Sequence, residues 1–479
     1  MVELLIEIIQ WFFLLYFMAL NIAYLALSLI SFFCLSRYLR QHVLRELPSR
    51  NTNFEPPISL LVPAYNEEAT IAASIRSLLQ LDYPEYEIIV INDGSRDETM
   101  AVLQAEFKLI PFPDAFCIRL PIQAIRTVYR SRKYPELRVI DKENGGKADA
   151  LNAGINVSRY PLFCGLDADS ILQSNSLRRL VQPFLEDSRT VACGGMVQAV
   201  NGCEVSGGFL VRAGLPRNPL ALFQIIEYLR AFLFGRMGWS PLNALLIISG
   251  AFGLFHKETV IAAGGYLHNT IGEDMELIVR LHRHLRLAGR SYRITFAPDP
   301  ICWTEVPEDW RTLRNQRRRW QRGLADSLNL NKDIFLHRRG GTIGWLAFPF
   351  MVFFELISPV LEMAGYVVIS AALISGYISL SAFFAFMLAA IGCGVLFSVV
   401  GLFLNEIDLR TYPKVQHLLL LFVVSVAENF GYRQVISFWR FQATIQWLRG
   451  QEAAWGKMVR TGAASRSSPP TERPAVASD

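Results

Sequence analysis

Apolar residues are concentrated in three blocks near the two ends of the chain. Residues 4–35 form a nearly continuous apolar run, which exceeds the roughly 20 residues that a helix needs to cross a bilayer. Two further blocks cover 344–404 and 415–427. This pattern predicts a transmembrane anchor over 1–36 and transmembrane or interfacial helices over 342–448.

Between these blocks, residues 50–335 carry shorter apolar runs that end in turn residues. Such runs begin at 58, 86, 137 and 161, and the segments between several of them have apolar residues at helical spacing. Strand, helix and strand in alternation are typical of a parallel sheet. We therefore predict an α/β domain with a mostly parallel sheet and flanking helices, inserted between transmembrane helices. Ligands of such sheets lie at the carboxyl ends of the strands.

Three stretches depart from this alternation. Residues 106–136 are rich in Pro, Arg and Tyr and are predicted to be an irregular insertion. The apolar run 241–255 has only fifteen residues and contains two glycines, so we predict a buried strand and loop and not a span. The last stretch, 462–479, has no apolar periodicity and is predicted to be disordered.

Charge along the chain predicts the side of the membrane on which the middle domain lies. Both flanks of this domain are basic, through Arg37, Arg40, Arg45 and Arg50 on one side and Arg338 and Arg339 on the other. The positive-inside rule then places 50–335 in the cytoplasm. The overall net charge of +5 is too small to indicate nucleic-acid binding.

The C-terminal part gives two readings. Basic residues between 433 and 460 favour the cytoplasm, which requires an even number of spans after the domain, whereas hydropathy gives three. Either 344–404 holds three helices or 415–427 lies at the membrane surface.

Several polar clusters follow the predicted strands. In "GLDADS", Asp167 and Asp169 lie two residues apart, so both carboxylates project to one side and can bind magnesium or manganese. Tyr65, Glu67 and Asp93 end the first two strands, where a tyrosine ring can stack on a base and carboxylates can accept hydrogen bonds. Ordinary turns and helix caps explain each of these clusters equally well.

Two further motifs begin predicted helices. Lys147 follows two glycines in "NGGKADALN", an arrangement that suits a phosphate although it is not a P-loop. Asp274 follows Gly272 and Glu273 and can serve as a general base. Alternatively, it lies there only because the helix dipole stabilises a carboxylate at the start of a helix. His282 and His284 lie two apart on the same predicted helix and are expected to face solvent.

The stretch "NQRRRWQRG", residues 315–323, combines four arginines with Trp320 just before the second apolar block. Arginine binds diphosphate oxygens with two parallel hydrogen bonds, and an indole can stack on a sugar ring. Attraction to anionic lipid or a solvated helix face would also explain it. We expect Arg314, Arg317 and Arg322 to remain available to lipid headgroups.

The order of these motifs carries more information than any one of them. VPAYNEE, INDGS, NGGKADALN, DAD, GED and QRRRW follow one another between apolar blocks. This set resembles the membrane-bound family 2 glycosyltransferases, the group of hyaluronan, chitin, cellulose and poly-N-acetylglucosamine synthases, and most of all the last. The family's Q-x-x-R-W is matched by Gln316, Arg319 and Trp320.

The resemblance implies a GT-A fold, a UDP-sugar donor and a divalent cation, magnesium or manganese. It implies these roles: Tyr65, Glu67 and Asp93 on uridine; Lys147, Asp167 and Arg319 on the rest of the nucleotide; Asp169 and Asp167 on the metal; Asp274 as catalytic base; Glu273, Gln316 and Trp320 on the acceptor. The insertion at 106–136 departs from the pattern, and the tail leaves no room for a cyclic-dinucleotide-binding domain.

The expected function is inverting and processive transfer from UDP-N-acetylglucosamine or UDP-glucose to a growing glycan. An integral protein of the plasma (inner) membrane, with an accessory membrane subunit as a possible partner, fits this resemblance. Transfer of one sugar to a lipid or lipid-linked acceptor is the main alternative. A catalytically silent scaffold and a transporter are the others.

Overall fold

The computed structural model describes residues 2–45, 55–206, 208–381, 383–384, 392, 394–396, 398–402, 411–412 and 414–451. The predicted disordered tail 462–479 and the predicted domain start at residue 50 lie outside the described residues.

Twelve strands are present in the described part of the chain: β1 Ile58–Ala64, β2 Tyr86–Asp93, β3 Leu109–Pro111, β4 Ile125–Ser131, β5 Leu137–Lys142, β6 Leu162–Leu166, β7 Ile171–Leu172, β8 Thr190–Ala199, β9 Glu204–Ser206, β10 Phe209–Arg212, β11 Phe252–His256 and β12 Arg293–Thr304. Ten of them form one sheet in the order β3-β4-β5-β2-β1-β6-β11-β8-β12-β7. Strands β9 and β10 form a separate hairpin.

The described helices are α1 Val2–Arg45, α2 Ile71–Leu78, α3 Thr99–Phe107, α4 Lys147–Val157, α5 Ser176–Leu180, α6 Gln182–Glu186, α7 Pro219–Arg230, α8 Met237–Trp239, α9 Lys257–Ala262, α10 Glu273–Leu287, α11 Trp310–Leu330, α12 Phe348–Phe350, α13 Ser358–Ile374, α14 Val415–Ala427 and α15 Tyr432–Leu448. Short π-helical segments occupy Ala231–Arg236, Ile343–Ala347 and Met351–Leu356, and a 3-10 turn occupies Lys332–Ile334.

The centre of the sheet confirms the prediction of parallel strands. Strands β5, β2, β1 and β6 are neighbours and run parallel, and their residues are almost all buried. Helices cover both faces of such strands, which explains their nearly continuous apolar sequences. The flanks are mixed, since β4 pairs antiparallel with β5, and β11 pairs antiparallel with β6.

The predicted irregular insertion at 106–136 is partly wrong. It contains β3 and β4, which extend one edge of the sheet. The two strands are short and separated by a proline-containing segment, so their period of two is hard to detect. The prediction for 241–255 is confirmed, because a loop with buried Leu245 and Leu246 leads into β11.

Candidate membrane segments lie at both ends of the chain. Within α1, residues Glu7–Tyr38 are long and apolar enough to cross a membrane. Two bent pairs pass the same test only when each is taken as one span: Ile343–Leu356 with Ser358–Ile374, bent by 42°, and α14 with α15, bent by 53°. The described residues thus offer one to three candidate spans, and 385–391 and 403–410 lie outside them.

Helix α11, which carries the QRRRW motif, connects the sheet domain to the C-terminal helices. It begins after Asp309, whose side chain accepts a hydrogen bond from the Thr312 backbone N–H at 2.8 Å. On its buried face, the Gln321 side-chain oxygen accepts from Arg440 of α15 at 2.8 Å. Arg440 also bonds Glu355 Oε2 at 2.9 Å. The motif therefore lies where the domain meets the apolar helices.

Candidate active site

The predicted motifs meet at one edge of the sheet because the four central strands run in the same direction. Strands β1, β2, β5 and β6 end at Ala64, Asp93, Lys142 and Leu166, and each is followed at once by a polar loop. Strand β11 is antiparallel to β6, so its first residue, Phe252, pairs with the last residue of β6. The loop before β11 therefore reaches the same edge.

Asp93 is buried and organises the glycine loop beyond β5. Its Oδ1 accepts hydrogen bonds from Lys142 Nζ at 2.6 Å and from the Gly145 N–H at 3.0 Å. Its Oδ2 accepts from the Gly146 N–H at 2.8 Å and from Asn144 Nδ2 at 3.1 Å. Gly146 has φ +87°, which favours glycine. Asp93 thereby fixes the start of α4, where the next residue is Lys147.

The loops after β1 and β2 are joined to each other by side chains that the sequence did not single out. The Asn66 N–H donates to Ser95 Oγ at 3.0 Å, and the Glu67 N–H donates to Thr99 Oγ1 at 2.8 Å. Glu67 Oε2 accepts from Thr70 Oγ1 at 2.8 Å. Tyr65, which precedes this junction, is 45% exposed, so its ring is accessible at the mouth of the site.

Lys147, at the first position of α4, joins two of the predicted motifs. Its Nζ lies 2.6 Å from Asp167 Oδ1 and 3.5 Å from Glu273 Oε1. Burial opposes the charged ammonium, but Asp167 and Glu273 outweigh it and raise the pKa of Lys147. Burial also raises the pKa of the Glu273 carboxyl, against the charge of Lys147. The lysine is thus a fixed cation beside the DAD motif.

Asp274 is joined to the cluster of Lys147, Asp167 and Glu273 by Gly250, which lies between Asp274 and Lys147. Its Oδ2 accepts from the Gly250 N–H at 3.0 Å, which orients the carboxylate. A Cβ placed on Gly250 would lie 3.1 Å from Lys147 Nζ and 3.4 Å from Asp274 Oδ2, so any larger residue would crowd both groups. Gly250 was not among the predicted site residues, although it lies in the apolar run 241–255.

The residues at the DAD motif fit a cation that shares its coordination with a ligand. Among the described residues no group of three or more His, Cys, Asp or Glu could hold a metal ion. Asp167 and Asp169 can supply two hard oxygen donors, and magnesium commonly takes one or two carboxylates together with substrate phosphates and water. The carboxylate pair therefore suits an ion that enters with a diphosphate.

The QRRRW motif has an exposed and a buried face. Trp320 is 46% exposed, while Gln316 is buried and its Oε1 accepts from Arg317 Nη1 at 3.1 Å. Arg319 is half-buried, and its charge acts on Glu273, which places it on the side of the GED motif. The expectation that Arg317 meets lipid is wrong, because its guanidinium is buried in an ion pair with Glu227.

A second expectation, that both histidines of α10 face solvent, is wrong for His282. His284 is exposed, but His282 is buried between Leu245 O at 2.8 Å from Nε2 and Tyr292 OH at 2.6 Å from Nδ1. Burial lowers the pKa of His282 to about 3. The side chain ties α10, which carries Asp274, to the loop that carries Gly250.

Two residues near the site have no sequence signal of their own. The Tyr228 ring of α7 lies 6.4 Å from the Trp320 ring, centroid to centroid. Arg236, at the end of the π-helical segment, lies close enough to Asp274 for their charges to interact. Their segment of sequence is typical of a helix that packs on a core.

Comparison with known proteins agrees with this arrangement. The sequence-family description "Glycosyl transferase family 2" matches residues 59–203, and "Glycosyl transferase family group 2" matches 163–404, which is half of the chain. The first match contains the motifs of β1, β2, β5 and β6. The second contains the DAD, GED and QRRRW motifs and extends into the apolar C-terminal part.

Relatives in two staphylococci carry one name, "Poly-beta-1,6-N-acetyl-D-glucosamine synthase". The Staphylococcus epidermidis protein is 30% identical over 267 residues, 56% of this chain and 54% of its own length, so the chain spans about half of that relative. The protein of Staphylococcus aureus (strain COL) is 29% identical over 334 residues, 69% of this chain and 68% of its own length.

A solved structure with the same fold is the mannosyltransferase PcManGT from Pyrobaculum calidifontis, in complex with GDP-Man and Mn²⁺. It has a TM-score of 0.54 and 16% identity, and the match covers 91% of this chain and 99% of that one. The predicted GT-A-type fold is thereby confirmed. By the family matches and by the motifs assembled at this sheet edge, the chain belongs to the family 2 glycosyltransferases.

Proposed function

We propose that this glycosyltransferase moves a sugar from a UDP-sugar to the hydroxyl of a growing glycan, with inversion at the anomeric carbon. The observation that carries this proposal is the meeting of Lys147, Asp167 and Asp274 around Gly250. This cluster contains a cation that can bind a diphosphate, Lys147, and a carboxylate that can accept a hydroxyl proton, Asp274. These are the two charges that glycosyl transfer from a nucleotide-sugar requires.

The donor is proposed to lie along the carboxyl edge of β1, β2 and β6. Tyr65 and Glu67 would contact the uridine, with the exposed Tyr65 ring available for stacking, and the buried Asp93 would act through the glycine loop that it fixes. Lys147 and Arg319 would contact the diphosphate, with Asp167 beside them. Asp167 and Asp169 would hold magnesium or manganese, and a bound divalent cation neutralises charge that develops on a departing diphosphate.

Asp274 is proposed to act as the general base. The acceptor hydroxyl oxygen attacks the anomeric carbon, its proton passes to Asp274, and the bond from that carbon to the UDP oxygen breaks with its electron pair. Lys147 and Arg319 stabilise the departing UDP, so no protonated carboxyl group is needed as an acid. A glycoside hydrolase, by contrast, needs two carboxyl groups that flank the bond.

The acceptor is proposed to lie against Trp320, with Glu273 and Gln316 behind it. The indole is exposed on the same helix as Arg319, and an aromatic face of this kind suits a sugar ring. The name of the staphylococcal relatives favours N-acetylglucosamine as the sugar and a polymer as the product. UDP-glucose remains the second donor to test, and transfer of a single sugar to a lipid or lipid-linked acceptor is the alternative outcome.

We further propose that the domain 50–335 is cytoplasmic, between the anchor 1–36 and the helices of 342–448, in the plasma (inner) membrane. The apolar helix at Glu7–Tyr38 and the basic flanks support this placement. The contact of α11 with α15 would bring the acceptor side close to the bilayer. An accessory membrane subunit belongs to the same proposal.

A nucleotide-release assay on the full chain, purified in detergent, tests the proposed function. UDP-N-acetylglucosamine, UDP-glucose and other UDP-sugars are compared with magnesium, with manganese and with a chelator. We expect metal-dependent release of UDP from one donor and an elongated product when that product is sized. Release of UDP with single additions only would favour the alternative, and no release from any donor would refute the proposed function.

A further inference from the structure

A π-helical segment, Ala231–Arg236, lies between helices α7 and α8. Helix α7 carries Tyr228, whose ring lies beside Trp320. Segments with this wide turn are rare and are frequently found at functional sites. Its last residue, Arg236, has its guanidinium over the Phe232 ring, 3.6 Å from the centroid. The π-helical turn thus sets one arginine above an aromatic face.

The Phe232 ring belongs to a row of aromatic side chains that starts at Trp320. Ring centroids of Trp320 and Tyr228 are 6.4 Å apart, and those of Tyr228 and Phe232 are 6.2 Å apart. Trp320 is exposed, Tyr228 is half-buried and Phe232 is buried, so the row descends into the protein. Arg236 lies at its inner end.

The surroundings of Arg236 differ from those of its neighbouring arginines. Arg230 pairs with Glu428 at 2.6 Å, and Arg317 pairs with Glu227. Arg236 makes no ion pair among the described residues, and its buried Nη1 has no hydrogen-bond partner there. A buried polar group without a partner costs free energy, and a ligand is one way in which such a group becomes satisfied.

The charges that act on Arg236 place it beside the proposed base. Burial lowers its pKa to about 10, and the nearby Asp274 and Tyr228 oppose this shift. The guanidinium is therefore still charged at neutral pH. The row of rings connects Arg236, through Phe232 and Tyr228, to Trp320. Arg236 therefore lies between the proposed acceptor-binding Trp320 and the proposed base Asp274.

We propose that Arg236 is an acceptor-binding residue, which donates hydrogen bonds to hydroxyl oxygens of the terminal acceptor sugar between Trp320 and Asp274. This role rests on the proposed glycosyl transfer and adds a second anchor to it. Trp320 and Tyr228 would contact the apolar face of the chain, while the planar set of N–H donors would fix its last ring. The attacking hydroxyl is then held toward Asp274.

Two substitutions at this position and one elsewhere test the assignment. Arg236→Gln removes the charge and most donors, and Arg236→Lys keeps the charge but loses the planar set of donors. Arg130→Gln is the matched control, since Arg130 also lies over a ring, 5.7 Å from the Phe112 centroid, on the edge strand β4. The acceptor is a tetramer prepared by partial hydrolysis of the wild-type product, and the donor is the one that the wild type uses.

We expect Arg236→Gln to raise the KM for the tetramer by roughly tenfold or more while the KM for the donor and the Kd for UDP change less than about twofold. Arg236→Lys should give a smaller rise, and Arg130→Gln should match the wild type. A weaker Kd for UDP would assign Arg236 to the donor instead. An unchanged KM for the tetramer in both variants would overturn the proposal.

The same data separate this proposal from the proposed function. If the wild type releases no UDP from any donor, glycosyl transfer itself is wrong. If the wild type elongates the tetramer and Arg236→Gln does so with the same KM, only the role of Arg236 is wrong. Should Arg236→Gln not fold, the comparison of Arg236→Lys with the wild type still decides, because a lysine that binds as well as arginine would contradict the need for a planar donor set.

Discussion

The proposed donor side and the proposed acceptor side of the site are built in different ways. On the donor side, short loops follow adjacent parallel strands, and ion pairs join them, as in the buried pair of Asp93 with Lys142 and the partly exposed pair of Lys147 with Asp167. On the acceptor side, Tyr228 and Trp320 come from helices α7 and α11, far apart in sequence, and meet through their rings. The first construction depends on the sheet, and the second on how helices pack near the apolar C-terminal helices.

Asp274 lies between the two sides and should show the largest effect on activity. We expect Asp274→Asn to lower the rate of transfer by about 10²–10⁴-fold, since the amide cannot take the hydroxyl proton. The Kd for UDP, measured by calorimetry, should stay close to that of the wild type. A turnover equal to that of the wild type would remove Asp274 from the role of base.

Asp333→Asn provides the control for this change. Asp333 is an exposed carboxylate just beyond α11, 3.6 Å from Arg283, and lies outside the site. Its loss should leave the rate unchanged. If both variants lost activity equally, the effect of Asp274→Asn would reflect general destabilisation.

On the donor side, Lys142 should be the residue on which stability depends most. Its Nζ is fully buried and pairs with both Asp93 and Asp149. Lys142→Met leaves two buried carboxylates without their cation, and we expect it to cost roughly 3–5 kcal/mol of unfolding free energy. Thermal unfolding in detergent measures this, and a melting temperature equal to that of the wild type would contradict it.

Lys257→Met is the matched control for Lys142→Met. The Lys257 Nζ donates to the Ser158 backbone oxygen at 2.8 Å, and no carboxylate pairs with it among the described residues. We therefore expect a small change in melting temperature. A similar loss in both variants would mean that the ion pairs of Lys142 with Asp93 and Asp149 do not stabilise the protein more than a single hydrogen bond does.

On the acceptor side, Trp320→Ala should affect binding more than stability. Its ring is exposed and touches Tyr228 and Arg317, so its loss removes a surface for a sugar. We expect the KM for an oligosaccharide acceptor to rise by roughly 5- to 20-fold. Trp310→Ala is the control, because Trp310 is also exposed on α11 but packs against Trp439. Equal effects of the two variants would argue against a special role of Trp320.

Sequence alone could predict that the motifs of the proposed donor side meet, because these residues lie next to the ends of strands. Once the apolar runs before Tyr65, Asp93 and Asp167 are recognised as parallel strands, their carboxyl ends must lie side by side. The hydrogen bonds that fix Asp93 to the glycine loop could not be predicted, since they depend on the conformation of that loop. The sequence shows the two glycines of this loop but not their backbone conformation, such as the positive φ of Gly146.

The acceptor side was only half predictable. Trp320 belongs to a recognisable motif, whereas Tyr228 and Arg236 lie about 90 residues earlier in a segment that reads as an ordinary helix. Their position depends on the packing of α7 beside α11 and on a π-helical turn that no periodicity indicates. His282 is different, because its helical spacing from Ile278 and Leu285, both buried, could have revealed its burial.

His282 should give the smallest effect, a change in stability whose size depends on pH. Burial holds the pKa of its imidazole at about 3 in the folded protein, against 6.5 in the unfolded chain. The unfolded chain therefore binds the extra proton between these values, so the stability that His282 contributes is complete above pH 6.5 and is lost as the pH falls toward 3. Linkage gives a loss of about 1.4 kcal/mol between pH 7.5 and 5.5.

The variant His282→Gln cannot take up this proton. We expect it to be less stable than the wild type at pH 7.5, through loss of contacts to Leu245 and Tyr292, and the difference in melting temperature should narrow at pH 5.5. His284→Gln, at the exposed histidine of the same helix, should track the wild type at both pH values. A difference between wild type and His282→Gln that does not change with pH would mean that His282 is not held neutral.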